Sequence, residues 1–475
     1  MIRVYFDWNV FSNLKEDEFR VFKEKLLNNK SKLLFPYSHA HFTDLMKSFV
    51  PSNEKFQFDL DTLSEVCGKH NIGWDGKKSM LYFATPAEFF DSVKDQPDNS
   101  LDFDIDELFD QFSAIEDELG FGKIWNTLQT LFKTQKIPFE ISEENKEVLN
   151  QMFPNLTKDS SMWDFIKEIV SFLKKFLNNK DFYKSFRNTI NEKGFRLDPN
   201  SSKWESDEVI KQINLFLNSI KENLTFQELV KLAFVNRKEK YTRFEYFKVA
   251  YIILDLIGYK RDRLRKKIHS VKNIIADSEH SFYGAHCDYF VAIDKNLLLK
   301  SKVLYSEFNI STTVLTFKEF IDIFDTIMHN HPDTVEEIVD ETLNSISLNN
   351  IVEKHEQKEP KDILLTIKLP VPYLNFFNYV LLQQPSNSNA LGLIFYKTFE
   401  NYADMLYYTE TEELFDRVDK IFQFERTESF DKDKQEFIHD LTNKSFTKNI
   451  KYGVVRLERE MPSNRIVFQY TLRIK

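Results

Sequence analysis

Short apolar runs alternate with amphipathic stretches at the start of this chain. Residues 3–11 (RVYFDWNVF), 16–29, 32–38 (KLLFPYS) and 40–49 predict a strand, a helix, a second strand and a second helix. The same alternation returns over residues 286–328, where HCDYFVAID and NISTTVLTF are the strand-like runs. Strands that are apolar throughout are typical of a parallel sheet with helices on both faces. The two stretches therefore predict one α/β domain that is divided in the sequence.

The long segment between these stretches follows a helical pattern. Apolar side chains recur at intervals of three and four, as at Trp163, Ile166 and Val170. One helix is expected to stop near Gly258, because glycine is a common residue just past a helix end. We therefore interpret the segment as a mostly helical insertion.

A third type of region follows residue 331. Alternating runs predict strands, helices are expected near residues 410–448, and two runs around MPSN predict a hairpin. The run VEKHEQKEPKD is interpreted as a solvated loop. The predicted organisation is the first part of the α/β domain at 1–50, the insertion at 51–269, the second part of the α/β domain at 270–331, and an α+β C-terminal domain at 332–475.

Composition limits the class of protein. The chain has 475 residues, of which 42% are hydrophobic and 29% charged. No apolar run reaches the roughly 18 residues that would cross a bilayer, and MIRVYFDWNV reads as a strand and not as a signal peptide. Two cysteines without paired spacing fit a reducing cytoplasm. Only 10 glycines and no glycine-rich phosphate loop disfavour NTPases and dinucleotide enzymes.

Four acidic residues carry the chemistry that we predict. Asp7 directly follows the first strand and Asp294 follows YFVAI, so both emerge at the carboxyl edge of the sheet, where open parallel sheets place their active sites. Asp44 in HFTDL and Asp277 in ADSEH complete the set, although a single Asp such as Asp277 also serves as a helix cap. Several carboxylates without cysteine ligands suit Mg²⁺ or Mn²⁺. Without a cation, like charges this close raise each other's pKa. The sequence therefore predicts a divalent-metal site.

These residues give the chain a resemblance to the PIN-domain ribonucleases. Asp7 and Asn9 in VYFDWNVF match that family's opening Asp-x-Asn. Asp44 falls where the family usually has Glu, and Asp277 and Asp294 match its third and fourth acids. The resemblance implies a PIN-like parallel sheet flanked by helices, here split by the insertion. It also implies that the acids bind one or two Mg²⁺ or Mn²⁺ ions and that phosphodiester bonds are cleaved, usually in RNA.

Histidines and an asparagine beside the acids are candidates for supporting roles. His41 precedes Asp44 by three residues and His280 follows Asp277 by three, which on a helix places each beside its acid. Such a histidine binds the scissile phosphate, donates a proton to the leaving oxygen or orients a carboxylate, and a packed imidazole is the alternative. Asn9 is expected to hold Asp7 or a metal-bound water, or to be an ordinary turn residue.

A basic run leads into Asp277, and an acidic run lies far from it in the sequence. Nucleic-acid binding is predicted for His41 and for the basic residues Lys260, Arg261, Arg263, Arg265, Lys266 and Lys267. A solvated helix face is the alternative for such a run. The acidic run at residues 101–120 is expected to be an exposed helix. A second hypothesis is that it mimics nucleic acid and covers the basic run.

The prediction is a Mg²⁺- or Mn²⁺-dependent PIN-like nuclease, with RNA as the expected substrate, no membrane association and a cytoplasmic location. Large accessory regions suggest a toxin or phage-defence effector that is kept in check by these regions or by a regulatory protein partner. A homo-oligomer is the other association that we expect. A structure-specific DNA nuclease uses the same acids and stays open as an alternative. So does a non-catalytic scaffold that binds RNA or protein.

Overall fold

The structure is a computed structural model of the chain. The labelled strands are, in chain order, β1 (Ile2–Phe6), β2 (Leu33–Leu34), β3 (Tyr37–Ser38), β4 (His70–Trp74), β5 (Ser79–Phe83), β6 (Tyr289–Ala292), β7 (Thr313–Thr316), β8 (Ile351–Glu356), β9 (Ile363–Tyr373), β10 (Phe377–Gln384), β11 (Ala390–Tyr396), β12 (Ser445–Ile450), β13 (Gly453–Glu460) and β14 (Arg465–Arg473). The residues that the structure describes are 1–47, 49, 54–94, 129–137, 149–150, 152–192, 194, 196–198, 201, 203–234, 240–262, 264, 270–329, 334–345, 350–356, 363–384, 389–397, 406–439, 444–451, 453–460 and 465–473.

Helices connect and cover these strands. The labelled helices are α1 (Trp8–Asn13), α2 (Arg20–Asn28), α3 (His39–Met46), α4 (Glu54–Cys67), α5 (Pro86–Val93), α6 (Met162–Asn178), α7 (Lys180–Glu192), α8 (Val209–Ile220), α9 (Phe226–Leu232), α10 (Arg243–Leu256), α11 (Val271–Gly284), α12 (Lys295–Glu307), α13 (Phe317–Ile327), α14 (Val335–Ser345), α15 (Tyr408–Phe422) and α16 (Phe430–Ile438). Within the described ranges, none of the helices is both long and apolar enough to cross a membrane.

The chain forms two compact units. The first consists of Met1–Phe90, Glu239–Phe247 and Glu279–Lys475, and the second of Asp91–Lys238 and Lys248–Ser278. The first unit combines both stretches of the predicted α/β domain with the C-terminal region. It also contains β4 and β5, which lie in the segment predicted as an insertion. The domain boundaries drawn from the sequence stay predictions.

A four-stranded parallel sheet lies in the first unit, in the order β2-β1-β6-β7. All five residues of β1 are buried, as its continuous apolar run predicts. β1 pairs with β6 so that Phe6 lies opposite Val291. The N–H of Asp7 donates to the carbonyl of Val291 at 2.9 Å, which extends the pairing to the residue where β1 ends. The predicted mixed α/β class, with a parallel sheet and flanking helices, is confirmed.

Aromatic side chains fix the end of β1 against its helices. The ring of Phe6 meets those of Phe11 and Phe320 edge to face, with centroid distances of 5.8 and 5.6 Å. All three rings belong to one buried core. Phe6 is the residue before Asp7, so this packing holds the backbone from which the Asp7 side chain emerges.

The C-terminal region forms a separate antiparallel sheet in the order β12-β13-β14-β11-β10-β9-β8. Phe415 of α15 and Phe437 of α16 pack into the core of this sheet. β13 pairs antiparallel with β14, as the hairpin prediction requires, although the MPSN turn lies outside the described residues. The run interpreted as a solvated loop is a strand at its start, because β8 pairs with β9. Its charged residues are typical of an edge strand.

Four buried charged side chains attach the C-terminal region to β1. Arg3 Nε donates to Glu410 Oε1 at 3.0 Å, and Lys397 Nζ donates to Asp288 Oδ2 at 2.9 Å. The main-chain N–H of Arg3 donates to the same Asp288 oxygen at 2.9 Å. Burial opposes ionisation of Glu410, but the charges of Arg3 and Lys397 outweigh it and lower its pKa to about 2. We call Arg3, Asp288, Lys397 and Glu410 the anchor group.

In the second unit, a buried carboxylate fixes the turn after α10. Asp255 accepts hydrogen bonds from Tyr183 Oη at 2.7 Å and from Arg187 Nη1 at 2.9 Å. Its other oxygen accepts the N–H of Asp262 at 2.6 Å. The chain turns at Gly258, where φ is +96°, two residues after the end of α10. The predicted helix stop at this glycine is confirmed.

Candidate metal centre

Asp7 stands at the carboxyl end of β1, where the backbone leaves the sheet and enters α1. The residue is 1% exposed. It occupies the N-cap position of α1, but its side chain makes no capping hydrogen bond. Its Oδ2 accepts a hydrogen bond from Asn9 Nδ2 at 3.0 Å. Asn9 therefore orients the Asp7 carboxylate from the start of the helix.

Asp44 and His280 approach Asp7 from two helices. Asp44 lies on α3 and His280 on α11. His280 Nε2 is 3.1 Å from Asp44 Oδ2 and 3.7 Å from Asp7 Oδ1. One ligand atom from each residue lies within 4.8 Å of the ligand atoms of the other two. We call these three residues the Asp–Asp–His cluster.

A hydroxyl behind the cluster orients the imidazole of His280. Tyr5 Oη is 3.0 Å from His280 Nδ1 and 2.6 Å from Ser38 Oγ. All three side chains are fully buried. With Nε2 facing the carboxylates, Nδ1–H donates to Tyr5 Oη, and the tyrosine hydroxyl donates to Ser38 Oγ. Partners of this kind fix the orientation of a ligating histidine.

His41 fastens α3 to the end of β1. Its Nδ1 accepts the N–H of Ser38 at 3.0 Å, and its Nε2–H donates to the carbonyl of Phe6 at 2.8 Å. Burial lowers the pKa of His41 to about 3, so the ring is neutral. The sequence predicts nucleic-acid binding for His41, but the side chain is fully buried and both ring nitrogens face the main chain. We therefore infer that His41 holds α3, which carries Asp44, against the end of β1, which Asp7 follows.

The two carboxylates of the cluster have opposite pKa shifts. Burial raises the pKa of Asp7, and the charge of Asp44 raises it further against the opposing effect of His280. Burial also opposes ionisation of Asp44, but the hydrogen bond from His280 and the ammonium of Lys47 outweigh it and lower its pKa to about 2. Asp44 is therefore the stable anion of the pair, and Asp7 is the carboxylate that gains most from an added cation.

Two basic groups balance the two carboxylates. Burial disfavours the imidazolium of His280, but the hydrogen bond to Asp44 and the charge of Asp7 outweigh it and raise the pKa of His280. Lys47 Nζ pairs with Asp44 Oδ1 at 2.5 Å. Side-chain exposure is 37% for Lys47 and 17% for Asp44, so the cluster meets solvent on this side. His280 and Lys47 thus compensate the charge of Asp44, whereas the pKa of Asp7 stays raised.

Two of the predicted ligands are not members of the cluster. Asp294 is exposed and caps α12, where its Oδ1 accepts the N–H groups of Asn296 at 2.7 Å and Leu297 at 3.1 Å. Asp277 is half-buried on α11, three residues before His280, and falls in the second unit. Metal binding by Asp277 and Asp294 stays a prediction.

The predicted nucleic-acid-binding residues are described only in part. Lys260 is half-buried and Arg261 exposed in the turn after α10. The other four lie outside the described residues: Arg263, Arg265, Lys266 and Lys267. The acidic run at 101–120 also lies outside them.

Two further residues of the site, Lys47 and Tyr5, have weak signals in the sequence. Lys47 follows Asp44 by three residues, a spacing that places two helical side chains side by side. Tyr5 precedes Asp7 by two, so the period of a strand puts both on one side of the chain. Neither spacing is specific enough to single out a residue without the structure.

The donor atoms fit a divalent ion. Two carboxylate oxygens and one imidazole nitrogen converge from three elements, and His280 has a partner on its second nitrogen. Mg²⁺ takes oxygen ligands, whereas an imidazole nitrogen suits transition metals better. This set therefore fits Mn²⁺ or a later divalent transition metal better than Mg²⁺.

No known family model, curated protein or solved structure matches this chain.

Proposed function

We propose that this protein is a divalent-metal-dependent nuclease with a PIN-like fold split by an insertion. The observation that carries the proposal is the convergence of Asp7, Asp44 and His280 within 4.8 Å at the carboxyl end of a parallel strand. Open parallel sheets bind ligands at this edge. The PIN-like assignment rests on the sequence motif around Asp7 and Asn9.

In this proposal Asp7, Asp44 and His280 hold the ion. A divalent ion bound there supplies an activated water and neutralises charge on a phosphodiester. Asn9 and Tyr5 keep Asp7 and His280 in ligating orientations, through contacts of 3.0 Å in each case. His41 holds α3 and β1 together. It thereby limits the movement of Asp44 relative to Asp7.

The proposal extends to the substrate and the cellular role. RNA is the substrate implied by the resemblance to PIN-domain ribonucleases. Lys260 and Arg261 are offered as phosphate contacts because basic side chains supply most of the affinity for nucleic acid. A cytoplasmic toxin or phage-defence effector, controlled by a protein partner or by self-association, is proposed from the size of the accessory regions.

The test is cleavage of end-labelled single-stranded RNA, single-stranded DNA and branched DNA by purified protein in Mn²⁺, Mg²⁺ and EDTA. We expect RNA cleavage in Mn²⁺, weaker cleavage in Mg²⁺ and none in EDTA. Asp44→Asn should slow cleavage about a thousandfold, which corresponds to about 4 kcal/mol. Asp325→Asn is the matched control, because Asp325 also pairs with a lysine but is 78% exposed. Cleavage that survives EDTA, or that is equal in both variants, contradicts the proposal.

One observation favours a second candidate function. Lys47 and His280 already hold Asp44 as an anion, so this part of the cluster is stable in electrostatic terms without an ion. A non-catalytic scaffold that binds RNA or protein needs no more than this. Binding of RNA without cleavage, by a protein that takes up no Mn²⁺, would support the scaffold. Cleavage confined to DNA would instead support the structure-specific DNA nuclease.

A further inference from the structure

The open side of the Asp–Asp–His cluster carries a lysine that no motif assigns. Lys47 lies at the C-terminal end of α3, and its Nζ contacts Asp44 Oδ1. Its side chain is 37% exposed, whereas Asp7 is 1% exposed and His280 fully buried. Lys47 is therefore the charged group of the site that a molecule arriving from solvent meets first.

The contact between Lys47 and Asp44 occupies one of the two carboxylate oxygens of Asp44. Asp44 Oδ2 faces His280 Nε2 at 3.1 Å, and Asp44 Oδ1 faces Lys47. Both oxygens are thus engaged before any ion binds. A cation that ligates Asp44 therefore competes with the ammonium, because like charges disfavour sharing one carboxylate.

A lysine released from Asp44 keeps its charge and its position beside the site. Its ammonium is a compact cation on a flexible stem, and such groups bind phosphate oxygens as point charges. The backbone of Lys47 stays fixed by hydrogen bonds from its N–H to the carbonyls of Asp44 and Leu45 at the end of α3. Only the side chain has to move.

We propose that Lys47 binds a phosphate group of the nucleic-acid substrate and that, before this, it occupies Asp44 in place of the metal ion. This inference rests on the proposed function. It assigns opposite effects to one side chain: Lys47 opposes metal binding and favours substrate binding. Replacing a residue with a purely structural role would change the affinities for metal and for substrate in the same direction, or would change neither.

The test compares the full-length protein with Lys47→Met, which keeps the length of the side chain and removes its charge. Mn²⁺ affinity is measured by calorimetry. Affinity for a fluorescein-labelled phosphorothioate oligouridylate, which resists hydrolysis, is measured by anisotropy in saturating Mn²⁺. We expect Mn²⁺ to bind Lys47→Met several-fold more tightly, because its competitor is gone. The oligonucleotide should bind about tenfold more weakly, as expected for one lost charged hydrogen bond.

Two further variants make the result specific. Lys47→Arg keeps the charge and should restore oligonucleotide affinity to within a few-fold of the parent. Lys318→Met is the matched control, because Lys318 also pairs with an aspartate, Asp322, but is 84% exposed on α13. It should change neither affinity. Thermal unfolding of each variant verifies that the protein is folded.

The outcomes separate this inference from the proposed function. If the parent protein binds Mn²⁺ and Lys47→Met has unchanged affinity for both ligands, the role of Lys47 is wrong while the metal site stands. If Lys47→Met loses Mn²⁺ and oligonucleotide together, Lys47 supports the structure of the site and the inference is also wrong. If the parent protein takes up no Mn²⁺, the proposed function fails and the inference fails with it.

Discussion

Each end of β1 carries a group of charged side chains. The two groups have a similar composition but differ in how deeply they are buried. The anchor group at the amino end and the Asp–Asp–His cluster with Lys47 at the carboxyl end each combine two carboxylates with two basic groups. The anchor group uses arginine and lysine, and each of its four residues is at most 7% exposed. The carboxyl end uses a titratable histidine and a lysine that is 37% exposed. The buried ion pairs of the anchor group fasten two parts of the unit together, whereas the carboxyl end is accessible from solvent at Lys47.

The same contrast appears in the carboxyl groups themselves. Glu410 in the anchor group has its pKa lowered to about 2, because two cations meet one buried anion. Asp7 at the other end has its pKa raised, since burial and Asp44 outweigh the help from His280. A carboxylate that is under-compensated is one that an added cation stabilises.

The largest expected effect concerns the amino end. Glu410→Gln removes the buried anion that pairs with Arg3, and breaking such a pair typically costs about 3–5 kcal/mol. We expect a loss of that size in the free energy of unfolding, measured in urea. Glu412→Gln, an exposed residue of the same helix, should change it by less than about 0.5 kcal/mol. A loss in Glu410→Gln no larger than in this control would contradict the structural role of the anchor group.

The next effect concerns the support of His280. Tyr5→Phe removes the hydroxyl that contacts His280 Nδ1, and loss of such a partner typically weakens metal binding about 10- to 100-fold. Calorimetric titration with Mn²⁺ measures this. Tyr305→Phe is the control, because the Tyr305 hydroxyl is also buried but donates to the carbonyl of Ser281. Equal metal affinity in the two variants would show that Tyr5 does not orient the ligand.

The carboxyl end should also have a pH dependence between pH 6 and pH 9. The folded-state pKa of His280 is raised, so its contribution to stability is fully present below the unfolded value of about 6.5 and is lost as pH rises through the folded value. Asp7, whose pKa is also raised, acts in the same direction. Urea unfolding in EDTA at pH 6 and pH 9 measures this. Relative to the parent protein, His280→Gln should reduce the fall in stability, by about 1.4 kcal/mol for each unit of pKa shift. An identical fall in both proteins would contradict the raised pKa.

The smallest expected effect concerns Asp294, which the sequence predicts to be a metal ligand together with Asp44. Asp294→Asn should weaken Mn²⁺ binding less than Asp44→Asn does, because Asp294 caps α12 and is not a member of the cluster. Asparagine is an equally good N-cap, so stability should also hold. Mn²⁺ titrations of both variants decide the order. The reverse order would favour the four-acid site that the sequence predicts.

The strand β1 and the first site residue could be predicted because both depend on local sequence. The apolar run before Asp7 is buried in β1, and the position of Asp7 follows from where that run ends. The partners of His280 could not be predicted in the same way. Its spacing to Asp277 predicts a pair on one helix, but its described contacts include Asp44, 236 residues away, and Tyr5. Such contacts depend on strand order and helix packing, which no local pattern contains.

The anchor group was missed for a related reason. Asp288 reads as a residue at the start of a strand, and Glu410 lies where the predicted helices begin, in the first turn of α15. Their partners Arg3 and Lys397 come from distant elements. The acidic composition around Glu410 gives no sign that this one carboxylate is fully buried.

The most direct test of the central claim is a Mn²⁺ titration of the purified full-length protein, together with Asp7→Asn and His280→Gln. The account predicts that the parent protein binds Mn²⁺ and that each variant loses at least about tenfold in affinity while still unfolding cooperatively. Unchanged binding in both variants, or no binding by the parent protein, would contradict a metal centre at the carboxyl end of β1.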